Sequence, residues 1–597
     1  MSRHSSRGAA RERLELAPDW AHCCAMFRSK YLDYDELMVQ LRAWADRYPE
    51  LVRLTEIGTS SEGRPIPLLT IGKSLDAVRP AVWIDGNMHA SELCGSSVAL
   101  AIAEDILAIH EGRDEAGGKP LPRGMADVIR DIHAYVVPRI SPDGAEAVLK
   151  TGRYVRSTPV NDRVAKSHAY WESIDMDGDG IVGVMRQRCP EGELVELRDD
   201  DGTPLDPPVM VPRLPEDDGP FFKLYPEGRI RNFDGRRIPD PHFVGDNHYD
   251  FNRNFPYHWA PENEQVGAGH YPGSAPETRA VLEFATRHPN IFAWLNLHTF
   301  GGVLIRPLGD KPDSKMDPTD VAIFRQVEAW MTEQTGYPTV SGFHEFLYEP
   351  DKPLHGDLSD YVYYQRGAIA YVVELWDLFK QLGIERKRPF VDYYTHFERK
   401  DFRALATLDR EVNEGRIFHR WRAFQHPQLG EVELGGFDPR IGISNPPLSH
   451  LAETCASHSA AFLRVASLLP RLSVDTVSRE ELGGGAVRLE LRVVNRGYLP
   501  TYGLQSAKTL PVSEPLRLTV EAVGTKLLAP PQSVVELGHL EGWGSGLHGS
   551  TGVSLPWTRG NAHEAFVSLI VQGQGSVRVS VGSCRVGTYE TEIALAS

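Results

Sequence analysis

Positive charge, cysteine and long apolar runs are all scarce in this chain. Lys and Arg number 64 against 81 Asp and Glu, a formal net charge of −17. That balance excludes nucleic acid and anionic membrane as main partners, because both reward a basic surface. Only six cysteines occur in 597 residues, at Cys23, Cys24, Cys94, Cys189, Cys455 and Cys584. With no CxxC and no paired framework they fit reduced thiols, and the chain is read as cytoplasmic. No apolar run reaches the ~18 residues that span a bilayer. The best candidate, Val98 to Ile109, is interrupted by Glu104 and Asp105. Four arginines near the N-terminus, Arg3, Arg7, Arg11 and Arg13, are followed by no apolar segment, so no secretory signal is expected.

What is present is an alternation of strands and helices. At this length two or more domains are expected. Residues 1–27 read as an N-terminal extension. Apolar strands at 81–85, 133–138, 292–297 and 369–374 alternate with helical patterns at about 91–110, 275–287, 319–335, 399–415 and 447–468, which implies an α/β sandwich with a largely parallel or mixed sheet. This catalytic unit is expected to span 28–470. Residues from about 150 to 247, rich in Asp, Pro and Gly, interrupt it as an insertion. From 471 to 597 short segments of period two, such as Val487 to Val493, predict an all-β sandwich domain.

Chemistry concentrates at strand ends. Strand 81–85 runs into His89-Ala90-Ser91-Glu92, and a His and a Glu at that spacing can face one cation. A second strand, 292–297, ends on His298. Two His, one carboxylate and an open fourth position make the usual catalytic zinc site. Taken alone, each piece is more often structural: an acidic residue in a first helical turn, or a core histidine. Glu374 ends a third apolar strand, and burial there would raise its pKa and suit it to general base work. Asn252-Arg253 offers a guanidinium fork and an amide for gripping a carboxylate. Arg186, after a Gly-rich turn, is a candidate for polarising a carbonyl or cradling an oxyanion.

Taken in order, Gly58-Thr59-Ser60-Ser61-Glu62-Gly63-Arg64, HxxE at 89–92, Ser141-Pro142-Asp143-Gly144, Asn252-Arg253-Asn254, Pro276-Glu277-Thr278-Arg279, Asn296-Leu297-His298 and Asp360-Tyr361 before Glu374 resemble the zinc carboxypeptidases of the carboxypeptidase A type. The resemblance covers about residues 28 to 390. It implies an α/β/α sandwich with a mixed sheet and one Zn²⁺ per chain held by His89, Glu92 and His298. It also implies Glu374 as general base, Arg186 as the carbonyl-polarising Arg, and Asn252 and Arg253 as the grip on a substrate's C-terminal carboxylate. Asp250 corresponds to the carboxylate that orients the first His. Tyr348 corresponds to the capping tyrosine, with Tyr361, Tyr363 and Tyr364 as competitors. Ser359 stands where side-chain preference is set; being neither charged nor large, it names no preferred residue.

The expected activity is therefore removal of C-terminal residues from peptides with a free carboxylate. Two alternatives stay open: a zinc amide hydrolase or deacylase on a non-peptide or peptidoglycan-derived substrate, and a non-catalytic binding protein on a peptidase scaffold. Asp175-Met176-Asp177-Gly178-Asp179-Gly180 opens like a calcium loop, but its twelfth position is Arg186 where an EF-hand needs Glu. A turn that places Arg186 is the plainer reading, with a structural Ca²⁺ as the alternative.

Overall fold

The computed structural model describes residues 26–160, 167–241, 249–349, 352–395, 397–544 and 560–595. The N-terminal extension lies almost wholly outside these.

An eight-stranded mixed sheet forms the centre. Its strands in chain order are β1 (Val52–Thr59), β2 (Pro65–Ile71), β3 (Ala81–Gly86), β4 (His133–Val137), β5 (Ile291–Thr299), β6 (Val303–Arg306), β7 (Thr339–Ser341) and β8 (Ile369–Leu375). In space they run β1-β2-β4-β3-β5-β8-β6-β7. β4, β3, β5 and β8 are mutually parallel, and antiparallel strands finish both edges. β3 and β5 are buried along their whole length. This explains their unbroken apolar character, since a parallel strand is covered on both faces.

Helices α1 (Tyr34–Arg47), α2 (Cys94–His110), α4 (Pro318–Thr335) and α5 (Leu448–Ala466) cover one face, where Val82, Ile84 and Leu295 join their apolar residues. Helix α3 (Pro276–Arg287) and segments 249–255 and 358–362 cover the other, around Trp83 and Trp294. The three layers are the α/β/α arrangement the sequence implied.

Several shared motifs act as fasteners. Asp143 accepts from the Ser60 hydroxyl at 2.9 Å, the Glu62 amide at 2.7 Å and Arg64 at 2.6 Å. Glu277 takes the Ser61 amide at 2.8 Å. Gly144 has no room for a side chain: a Cβ there would lie 2.3 Å from the Ser157 carbonyl oxygen and 2.6 Å from Ala90. The close approach brings the 155–158 loop against the His89 loop.

The inserted region forms a second, antiparallel sheet. Strands 210–212, 194–196, 221–226 and 184–188 are joined by a hairpin, Arg422–His426 and Gly430–Gly435, from far downstream. Beyond α5, six antiparallel strands make an all-β unit. Its long strand Glu564–Ser583 pairs first with Ala486–Asn495 and then with Gly587–Ala594. Val487, Leu489, Leu491 and Val493 point inward, and their core is continuous with that of the α2, α4 and α5 layer. Among the described residues, Cys94, Cys189, Cys455 and Cys584 are unpaired, and no helix is long and apolar enough to cross a membrane.

Candidate active site

Three parallel strands deliver the site at their C-terminal ends, where such sheets place their ligands. β3 leads into His89 and Glu92. The turn Asn87–Glu92 precedes the helix, which starts only at Cys94, later than the spacing suggested. The Asn87 amide holds that turn by donating to the carbonyls of His89 and Ala90. β5 carries His298, and the register of β5 on β8 sets His298 beside Glu374.

His89, Glu92 and His298 converge with donor atoms all within 4.8 Å of one another, and all three are buried. His89 Nδ1 lies 2.8 Å and His298 Nδ1 2.9 Å from the Glu92 carboxylate, and the two ring nitrogens are 3.0 Å apart. The far nitrogen of each ring faces an acceptor. His89 Nε2 donates to Asp250 at 3.0 Å, and His298 Nε2 donates to the Asn296 side-chain oxygen. With both protons on Nε2, two nitrogen lone pairs and a carboxylate confront one another in a buried space. That arrangement is repulsive without a cation at its centre. Two nitrogens and an oxygen suit zinc.

The cluster opens on a cleft lined by Arg156, Asn252, Arg253, Tyr348, Asp357, Ser359 and Glu374, among others. Enclosure raises the Glu374 pKa well above the ordinary range, and the neighbouring Glu92 charge adds to this; Arg156 opposes both. Asn252 is buried and accepts the Leu358 amide at 2.9 Å through its side-chain oxygen. Arg253 is steadied by the Asn252 carbonyl at 2.7 Å. Gly356, at φ +68°, passes so close that a Cβ would lie 2.3 Å from the Arg253 carbonyl oxygen. Ser359 is buried with its hydroxyl on Asp357. Tyr348 stands at the rim, 60% exposed.

Arg186 is a correction. It belongs to the second sheet, where its guanidinium meets Glu433 at 2.7 Å and Glu196 at 2.8 Å between the rings of Phe222 and Trp421. Both faces and both edges are taken, and it does not line the cleft. Arg156, which the sequence reading passed over, does line the cleft, together with Arg253 and Arg306. The Arg156 guanidinium lies 2.9 Å from Asp250 and 3.5 Å from Glu92, and its carbonyl accepts the Ala90 amide at 2.8 Å. No periodicity marks it in sequence; the only clue is its place just after the Ser141–Gly144 motif. Tyr394 was also missed. Its buried hydroxyl donates to the Phe300 carbonyl, and burial followed by the Glu374 and Tyr348 charges pushes its pKa well up.

The calcium alternative finds no support. Asp175, Asp177 and Glu227 do approach one another. However, Asp175 is occupied by the Gly178 and Gly180 amides, Glu227 by the Met176 and Gly183 amides, and Arg422 pairs with Asp177 at 2.8 Å and Asp179 at 2.6 Å.

Comparison with known proteins decides the family. The family model described as zinc carboxypeptidase matches residues 37–179 and 236–384. This part of the chain belongs to the zinc carboxypeptidase family. The gap between the matched stretches is most of the second sheet, and a further model, described only as a domain of unknown function, matches residues 471–594. Carboxypeptidase B of Astacus astacus is 32% identical over 130 residues, 22% of this chain and 39% of that protein. An inactive metallocarboxypeptidase, ECM14, of Ajellomyces dermatitidis is 30% identical over 156 residues, 24% of this chain and 23% of that one. The matched stretches thus span less than half of these relatives. Among solved structures, thrombin activatable fibrinolysis inhibitor aligns at 16% identity and TM-score 0.42, covering 75% of this chain and 76% of its own.

Proposed function

We propose that this chain is a zinc-dependent metallocarboxypeptidase that hydrolyses the last peptide bond of a substrate with a free C-terminal carboxylate. One observation carries the reading: a single cleft gathers the His89–Glu92–His298 cluster, a carboxyl with a raised pKa at Glu374, and the Asn252–Arg253 pair. His89, Glu92 and His298 would hold the zinc, which when bound supplies Lewis acidity to a carbonyl and acidifies water.

Each protein group then has a task. Asn252 and Arg253 receive the terminal carboxylate and so place the scissile bond, the fork giving bidentate geometry. Glu374 takes the proton of the attacking water as the tetrahedral centre forms, and returns it to the leaving nitrogen. Arg156, kept cationic by Asp250 and Glu92, stabilises the developing oxyanion. Tyr348 closes over the substrate from the rim, and Ser359 faces the terminal side chain. One relative is described as inactive; in this chain the three donors and Glu374 are all present.

The test uses blocked dipeptides with free and amidated C-termini. The wild-type protein should cleave the free form and spare the amide, and Glu374→Gln should reduce kcat by about 10²–10⁴-fold. Equal cleavage of both forms would remove the carboxylate grip and favour an amide hydrolase of another substrate class. Full activity in Glu374→Gln would sink the mechanism.

A further inference from the structure

The two imidazoles that face the zinc position are oriented differently. His89 rests directly on a carboxylate, Asp250, at 3.0 Å. His298 rests on an amide oxygen, Asn296. An amide can rotate and present nitrogen instead, which would invert the ring's protonation, so something must fix its direction.

Behind Asn296 lies Asp85, fully buried. Its one carboxylate oxygen accepts the indole N–H groups of Trp83 at 2.6 Å and Trp294 at 2.7 Å, and the other accepts the Asn296 side-chain N–H. The sheet register creates this group, since β3 and β5 pair Trp83 with Trp294 and Asp85 with Asn296. Period two then sends Trp294, Asn296 and His298 to one face. Among the described residues no cation pairs with Asp85. All three of its partners are donors, so every contact favours the anion, and burial alone works against it, raising the pKa only to about 6.

We propose that Asp85 and Asn296 are positioning residues that set the tautomer of His298. The anion takes the Asn296 N–H and turns the amide oxygen toward His298 Nε2. Nε2 must then carry the proton, and the Nδ1 lone pair is left facing Glu92 and His89. A carboxylate thus reaches both histidines, in one case through a rotatable relay. The inference rests on the zinc reading above.

Zinc affinity of the full-length protein, measured by competition with a chromophoric chelator, tests it. In Asp85→Asn the new amide keeps its oxygen on the indoles and offers N–H to Asn296, which must flip and present N–H to His298. Zinc affinity should fall about 10- to 100-fold. The double variant Asp85→Asn with Asn296→Asp exchanges the two groups and restores the order of donors and acceptors. The amide at position 85 keeps its oxygen on the indoles and donates to the carboxylate at position 296, which accepts from His298 Nε2 on its other side. Affinity should return to within about threefold of wild type. A role in packing alone predicts no such recovery. Wild-type affinity in folded Asp85→Asn, or a folded double variant no better than the single, overturns the proposal. If Asp85→Asn does not fold, Asn296→Ala, which leaves the carboxylate and both indoles in place, must show the same loss, and unchanged affinity there overturns it too. A wild-type protein that binds no zinc overturns the site itself, and this inference with it.

Discussion

Two arginines show what a residue's surroundings decide. Arg156→Gln should lower kcat by about 10²–10³-fold with KM little changed, as expected for a donor used at the transition state. Steady-state kinetics on a blocked dipeptide will read the split. Arg186→Met should leave kcat and KM within about twofold, yet destabilise the fold by roughly 1–3 kcal/mol, because Glu196 and Glu433 lose their partner and the aromatic sandwich its filling. Thermal unfolding measures that. The sequence reading singled out Arg186 and passed over Arg156 for a physical reason. Arg186 follows a Gly-rich turn and precedes an alternating segment, so it looked placed; Arg156 sits in a loop whose position depends on a backbone approach at Gly144. The His89–Glu92–His298 cluster, Glu374 and the Asn252–Arg253 pair were legible as candidates because each stands at the end of an apolar run or in a motif with fixed neighbours. Tyr394 was not, since it stands in a short helical turn, Asp392–Thr395, that follows the last central strand.

Among the elements, the join of β3 to α2 sets the geometry of the donors. Gly95, in the first turn of α2, would carry its Cβ 2.8 Å from the Leu297 carbonyl oxygen and 3.0 Å from the Asn87 amide. Gly95→Ala should therefore push the helix off the strand ends, cost about 1–3 kcal/mol in denaturant unfolding, and weaken zinc binding through the His89 turn. The spacing of apolar residues gave the helix but placed its start near Ser91, because nothing in the pattern reveals that the chain must first turn to present Glu92. Helix α5 carries a pH response. His458 is buried within it, donates from Nδ1 to the Thr454 carbonyl, and has its pKa pushed down from 6.5 to about 4 by burial. A base whose folded pKa is depressed gives stability that is present above the unfolded value and is lost as pH falls through the folded one. Acidification from pH 6.5 to 4 should thus cost up to about 3 kcal/mol at this site. Urea unfolding of His458→Met across that range should show a shallower decline than wild type, and parallel curves would contradict the assignment.

On the scale of the whole molecule, the all-β unit is tied to the catalytic layers by buried polar contacts as well as by apolar ones. Arg585 is 1% exposed, donates to the carbonyls of Gly367 at 2.7 Å and Arg366 at 3.0 Å, and lies over the Phe292 ring. Asp320 of α4 accepts the amides of Gln505 at 2.6 Å and Ser506 at 3.0 Å. Gly367 leads directly into β8, so the unit braces the strand that carries Glu374. Truncation after residue 470 should yield no soluble folded protein, since it strips an apolar face continuous with the core. Soluble expression with intact near-ultraviolet dichroism would refute this. Sequence texture revealed the β unit through its period of two, but not its attachment, because an arginine in a Gly-rich turn reads as a surface residue until the carbonyls that receive it are known. The same limit concealed the hairpin at 422–435, whose partners lie far away in the chain.

That hairpin gives the molecule a schedule. Arg186 and Glu433 are separated by 247 residues, and at about 5–20 residues per second a ribosome needs some 12–50 seconds to deliver the second after the first. Throughout that interval the strand at 184–188 has one bare edge and an arginine without its full set of partners. Glu374 is synthesised before the hairpin, so every residue proposed for catalysis has been made while the neighbouring sheet is still open. Nascent chains stalled between residues 390 and 430 should therefore be cut by protease in the inserted region, and become resistant only when both the hairpin and the β unit that follows it have been made.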